Sequence, residues 1–344
     1  MGLYKVRHLQ SIDGLRGIFA LLVVFYHTSY WLHIPYSDWI MSVFRIWGIY
    51  GVEGFFVISG IALTLSTKPK QFNSLRGCFI FIGRRYSRIL PLYALLFFFY
   101  RRSFDLAGQQ WTELAMLFGF IDPAQATLIA GWSIGVEFTF YFLFPLLVLL
   151  CRDGIYRSGF ITILAAIVLA WYSTSFDSEV SLGSQNSIYV NPVNHFLFFV
   201  SGYFLGAIYK AINDSSIMRT NTHSLVVLCA TIFALICLLG LNSDQVELVV
   251  GYKRFVLSLM LIITVGVAMY INVSNRVSAF LGNISYAIYL LHPVIVFMVL
   301  PRFHLENPWI KFIFVLILVV PLSYLSHRFW EMPAQRFIRR VAHA

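Results

Sequence analysis

The chain has 344 residues, of which 59% are hydrophobic and 12% charged, with basic residues outnumbering acidic ones to give a net charge of +10. Soluble domains carry about 25% charged residues, so a water-soluble globule is excluded. A mean hydropathy of +0.77 and an aromatic share of 17% point instead to an all-α, polytopic membrane bundle.

Ten spanning helices of roughly 20 residues would consume about 200 positions. The remaining gaps, Ser66 to Arg85, Arg101 to Ala130 and Ser173 to Pro192, are too short to bury cores of their own. One transmembrane unit over residues 1–344 is therefore expected. The excess of positive charge fits cytoplasmic loops and anionic headgroups better than a nucleic-acid partner. The four cysteines, Cys78, Cys151, Cys229 and Cys237, suggest neither a disulfide framework nor a metal cluster. The start of the chain carries no cleavage signal behind a short apolar core, so its first span is expected to remain.

Apolar runs in chain order predict spans over 12–32, 49–66, 86–100, 130–150, 159–173, 193–212, 224–241, 254–271, 278–300 and 309–330. With a cytoplasmic N-terminus, 17 Lys and Arg fall on that side and 7 on the other, with Arg16 inside the first span. The positive-inside rule then places both termini in the cytoplasm.

Ionisable side chains at membrane depth are costly and mark candidate functional sites. The first span carries Asp13, Arg16 and His27. Eleven residues at about 100° each return nearly to the starting face, so Arg16 and His27 share a side about 16 Å apart. Asp13, three residues from Arg16, can pair with it. In the second span GVEGFFVISG puts Glu53 at the outer rim, and in the fourth GWSIGVEFTFYFLFP puts Trp132, Ser133 and Glu137 in the outer half. His27, Glu53 and Glu137 are thus predicted at similar depth, which suits an imidazole base whose second nitrogen is held by a carboxylate. Trp132 also fits an interfacial aromatic belt.

Arg84, Arg85 and Arg88 form a guanidinium fork suited to phosphate oxygens, although topology anchoring would produce the same cluster. LGNISYAIYLLHP in the ninth span carries Asn283, Ser285, Tyr286, Tyr289 and His292, where Ser and Tyr can serve as packing contacts and Pro293 marks a kink. Asp13, Trp132, Ser133, Tyr286 and His292 are the candidate substrate-binding residues.

Six segments in order, DGLRG followed by His27, GVEGFFVISG, RRYSRILPLY, WSIGVEFTFYFLFP, LGNISYAIYLLHP and WEMP, make the chain resemble the acyltransferase 3 family of membrane acyltransferases. That group includes bacterial O-antigen and exopolysaccharide O-acetyltransferases. Glu53 stands where the family often has Asp, and the chain looks like a stand-alone form without the esterase-like domain some members append.

The resemblance implies a multi-pass protein of the bacterial inner membrane that transfers an acetyl group from cytoplasmic acetyl-CoA to a cell-surface sugar or lipid-linked glycan, without a metal. It implies that His27 is the catalytic histidine, that Arg16 assists it, and that Arg84, Arg85 and Arg88 form a donor-associated RRxxR motif. Together with the residues themselves, it leads to His27 as base, Glu137 or Glu53 as its orienting group, and direct transfer and an acyl-histidine as alternative routes. A carrier of a lipid-linked sugar or acidic metabolite is the competing reading.

Overall fold

Residues 9–101, 108–152, 154–213, 222–271 and 276–341 are described in a computed structural model. Lys5, Arg7, Arg102 and Arg219, four of the residues used for orientation, lie outside them, as do the side chains of Arg339 and Arg340. The described residues contain helices and no strand.

Among the described residues, ten helices have 18 residues or more: α1 Gln10–Trp31, α2 Asp38–Ser66, α3 Leu75–Arg101, α4 Gly131–Leu150, α5 Ile155–Tyr172, α6 Pro192–Asn213, α7 Thr222–Leu239, α8 Gly251–Ala268, α9 Arg276–Val294 and α10 Pro308–Ser326. They occupy the ten expected intervals. Eight are long and apolar enough to cross a membrane. The other two, α1 and α3, carry Asp13 with Arg16 and the Arg84, Arg85 and Arg88 cluster. In lipid the backbone satisfies its own hydrogen bonds most readily as helix, and local signals trim the ends. Asn307, for example, caps α10 by accepting from the Trp309 and Ile310 amides, with Pro308 at the first helical position.

Two helices start earlier than the hydropathy pattern predicts. The first turns of α2 hold Asp38, Ser42 and Arg45, which dilute its apolar signal. Arg45 is satisfied at the rim by donating to the Ser243 carbonyl at 2.6 Å. For α3, the arginines and Pro91 argue for a break, yet the helix runs through both.

Packing places α2 at the centre, with 83% of its most apolar window buried, against 6% for α7 at the periphery. α1 lies between α2 and α9, and α2 also packs along α6. The α2–α6 crossing is made backbone to backbone: a Cβ on Gly60 would come within 2.2 Å of the Phe199 carbonyl, and one on Gly202 within 2.0 Å of the Val57 carbonyl. After His292 and Pro293, α9 continues through a π-helical turn, Ile295–Val299, and a second π turn, His327–Glu331, leads from α10 into a C-terminal helix, Met332–Val341. Such turns re-aim the residues around them.

Candidate active site

At one end of the bundle, Asp13 and Arg16 of α1, Arg85 and Arg88 of α3, and Asn283 and Tyr286 of α9 line a cavity of about 400 Å³, closed on one side by His327 and Glu331. Arg85 donates to Ser66 Oγ at 3.4 Å, and its guanidinium lies 5.5 Å from the Phe81 ring centre and 5.9 Å from that of Tyr141. Those faces hold it toward the cavity. Arg84 is exposed and contributes no wall, so the expected three-pronged fork becomes two prongs plus Arg16. Arg16 feels Arg88 as a like charge and Glu137 and Asp13 as counter-charges. The three guanidiniums face one space despite their mutual repulsion, and an anion there would offset it.

Arg16 and Tyr286 also line a narrower cavity of about 40 Å³ deeper in the bundle, with Phe55, Ser59, Ser133, Glu137 and Tyr289. A water needs roughly 10–15 Å³, so this neck admits a few waters but no acyl chain as it stands. Ser59 donates to Glu137 Oε1, and the Tyr141 hydroxyl donates to the same oxygen at 2.5 Å. Glu137 is thus turned toward the arginine end. Ser133 Oγ and the Tyr289 hydroxyl are 2.8 Å apart, and the Tyr286 hydroxyl donates to the Ile89 carbonyl at 2.7 Å, tying α9 to α3.

His27 lies at the opposite end of α1 from Arg16, and its partner is His292. His27 Nδ1 is 3.1 Å from His292 Nε2, while His292 Nδ1 is 2.6 Å from the Tyr289 carbonyl. A carbonyl only accepts, so His292 carries its hydrogen on Nδ1 and, when neutral, accepts at Nε2. His27 must then donate from Nδ1, which leaves the lone pair on its Nε2. The Trp31 ring stacks on His27 at 4.7 Å with planes 6° apart. His292 is fully buried, whereas His27 keeps some exposed surface.

Glu53 belongs elsewhere. Because α2 begins at Asp38, Glu53 is mid-helix and wholly buried, which corrects its expected place at the outer rim. It forms an ion pair with Arg254 Nη1 of α8, and His195 Nδ1 of α6 is 3.8 Å away. Arg254 also donates to the Asn194 side-chain oxygen at 3.3 Å and lies 5.2 Å from the Phe198 ring centre. His195 is fixed by its Nε2 donating to the Tyr189 carbonyl at 2.8 Å. Trp132, rather than joining a lipid-facing belt, packs on His195 at 5.3 Å and Tyr189 at 5.5 Å.

The family model for an acyltransferase domain, Acyl_transf_3, matches residues 9–328. The chain belongs to the acyltransferase 3 family. Its curated relatives include O-acetyltransferase OatA of Staphylococcus aureus strain NCTC 8325, 23% identical over 97% of this chain and 58% of the relative. A putative O-acetyltransferase of S. aureus strain COL is 24% identical over 96% and 58%. The chain thus spans under two thirds of the length of these relatives. No solved structure matches.

In this acyltransferase 3 chain, the expected residues separate into three groups. Asp13, Arg16, Arg85, Arg88 and Tyr286 meet at the cavity, with Glu137 and Ser133 along the neck. His27 and His292 form a pair. Glu53 stands in a closed ionic cluster whose other members, Arg254 and His195, sequence reasoning missed. Arg254 reads from sequence as a rim charge, because it opens an apolar run after a polar loop. The expectation that a carboxylate orients His27 is corrected: its hydrogen-bond partner is a second imidazole, 265 residues away in sequence.

Proposed function

We propose that the chain is a membrane O-acetyltransferase with His27 as its base. The observation that carries this reading is the hydrogen-bonded series from His27 Nδ1 through His292 to the Tyr289 carbonyl, in a member of an acyltransferase family. That series leaves His27 Nε2 as the acceptor of the acid–base pair. Arg16, Arg85 and Arg88 suit the phosphates of a coenzyme A thioester, with acetyl-CoA as donor. The acceptor is a hydroxyl of a cell-surface sugar or lipid-linked glycan, approaching from the histidine end. The O-antigen class is one such acceptor.

In direct transfer, His27 Nε2 takes the proton of the acceptor hydroxyl as its oxygen bonds to the thioester carbonyl carbon. The carbon–sulfur bond then breaks, and the thiolate recovers the proton. The tetrahedral oxygen needs a donor, for which Arg16 and the Ser133–Tyr289 hydroxyl pair are candidates along the neck. Acyl transfer through the neck requires its side chains to part, because 40 Å³ is below the size of the arm that must reach through. The basic end faces the cytoplasm of a bacterial inner membrane on this reading, with both termini on that side.

The test uses purified protein in detergent, where a carrier has no gradient to act on. Wild type transfers label from [acetyl-14C]acetyl-CoA to a glycan, and His27→Ala loses about 10²–10⁴-fold of that rate while remaining folded. Unchanged transfer by His27→Ala overturns the assignment of the base. A burst of protein-bound acetyl in wild type, absent from His27→Ala, would place an acyl-histidine on the route instead of direct transfer.

A further inference from the structure

A third cavity, about 330 Å³, opens at the histidine end between the Ser178–Leu182 segment and the Asp244–Glu247 segment, over the ends of α1 and α2. Tyr30, Arg45, Glu179, Asp244, Gln245 and Glu247 are among its walls. It is separate from the arginine cavity and the neck, and none of its residues takes part in the chemistry derived above. Its volume lies at the lower end of the roughly 300–1,000 Å³ usual for ligand sites.

This cleft is coupled to His27 through one side chain. Gln245 donates from Nε2 to the Tyr26 hydroxyl, and the Tyr26 ring centre is 5.2 Å from that of His27 and 6.0 Å from that of Tyr30. A ligand in the cleft is therefore one aromatic ring from the base. The wall chemistry is specific in kind. Tyr30 leaves 52% of its surface exposed, offering an apolar ring face with a polar tip. Around it stand planar groups, a carboxamide, a guanidinium and carboxylates, which hold pairs of vicinal hydroxyls in fixed directions.

Charge narrows the ligand further. The walls carry three carboxylates and one guanidinium. Arg45 is already engaged by Asp244 at 3.5 Å and the Ser243 carbonyl at 2.6 Å, and Glu247 is engaged by Lys253 at 3.0 Å. The Glu179 carboxylate has no partner among the described residues; only its backbone amide is used, donating to Asp177. The field in the cleft is therefore negative, attracting cationic groups and opposing anionic ones.

We propose that this cleft is the acceptor subsite and that it takes a neutral or amino sugar, rejecting uronic acids and sugar phosphates. The inference rests on the acyltransferase reading for its purpose, but sugar binding can be measured without turnover. Saturation-transfer NMR on the full chain in detergent reads it, with a chitosan trisaccharide, cellotriose and trigalacturonate as probes.

Wild type and His27→Ala bind the first two and not the third. Tyr30→Ala and Glu179→Gln each weaken binding of the chitosan trisaccharide at least fivefold, while the acetyl-CoA concentration for half-maximal hydrolysis is unchanged. Glu179→Gln alters an exposed side chain and keeps the test intact if Tyr30→Ala misfolds. Binding of trigalacturonate as tight as that of the chitosan trisaccharide, failure of the chitosan trisaccharide or cellotriose to bind wild type, or unchanged binding by both variants overturns the proposal. Sugar binding without acetyl transfer would retain the subsite and overturn the enzymatic reading.

Discussion

Two histidines at membrane depth, His27 and His195, show how similar residues in one bundle serve different ends. His195 is enclosed on every side: its Nε2 is fixed by a carbonyl at 2.8 Å, and its other nitrogen faces the Glu53–Arg254 ion pair. His27 is held on one side only, by His292 at 3.1 Å, and its second nitrogen has no protein partner among the described residues. The lesson concerns what holds each group. An ion pair with every member enclosed locks helices together, whereas an imidazole held by a neutral imidazole retains a lone pair for chemistry.

Breaking the ionic cluster should give the largest effect. Arg254→Ala leaves Glu53 uncompensated in the interior and is expected to lower stability by about 3–5 kcal/mol, read as a fall in the thermal unfolding midpoint in detergent. Exchanging both partners, as Glu53→Gln with Arg254→Met, should recover most of that loss. If activity falls while the midpoint stays fixed, the cluster belongs to the chemistry and the contrast with His27 collapses.

The histidine pair is expected to behave in the opposite way. His292→Ala removes the acceptor for His27 Nδ1 and leaves a buried donor unmet, worth about 1–3 kcal/mol. That cost should appear in the unfolding midpoint, and acetyl transfer, whose base loses its orienting partner, should fall by roughly ten- to hundredfold beyond it. His292→Gln, which retains an acceptor, should restore part of the rate. An equal loss in both variants would remove the orienting role from His292.

At the arginine end, Arg88→Ala deletes a charge-assisted contact of about 1.5–3 kcal/mol. The acetyl-CoA KM should rise by about tenfold or more, with acceptor KM unchanged. The same substitution at Arg84, which stands outside the cavity wall, should leave donor KM nearly unaltered. Equal effects at both positions would dissolve the distinction between them.

The smallest expected effect is at the rim. The hydrogen bond from Lys253 holds the Glu247 carboxyl below the usual carboxylate range. A carboxyl with a lowered pKa stabilises the fold above its ordinary value, and that contribution fades as pH falls through the lowered one. Because the pair is exposed, its removal by Glu247→Gln should change stability by only about 0.2–1 kcal/mol at neutral pH, less in high salt, and by nothing at low pH. Unfolding midpoints measured at both pH values check the sign.

Much of the architecture was legible in the sequence, because a spanning helix is written as a contiguous apolar run. Each of the ten long helices among the described residues overlaps an interval that hydropathy marks. The early starts of α2 and α3 were not legible, since Arg45, Arg85 and Arg88 lower local hydropathy and are satisfied only by partners distant in sequence or by a cavity. The site divides in the same manner. Arg16, Arg85 and Arg88 could be placed together by helix phase and topology. The pairing of His27 with His292, and of Glu53 with Arg254, depends on which helix stands beside which, and α1 meets α9 only in three dimensions. Depth alone therefore assigned His27 the wrong partner.

The crossing of α2 and α6 bears on how a substrate enters. At Gly60 and Gly202 the two main chains touch with no side chain between them, so there is no rotamer to swing aside and no gap for an acyl chain or isoprenoid tail to wedge open. That seam is barred to hydrocarbon. A lipid-linked acceptor sliding in from the bilayer must find its portal on another flank of the bundle, and a bulky residue at Gly60 would split the seam before it created a doorway.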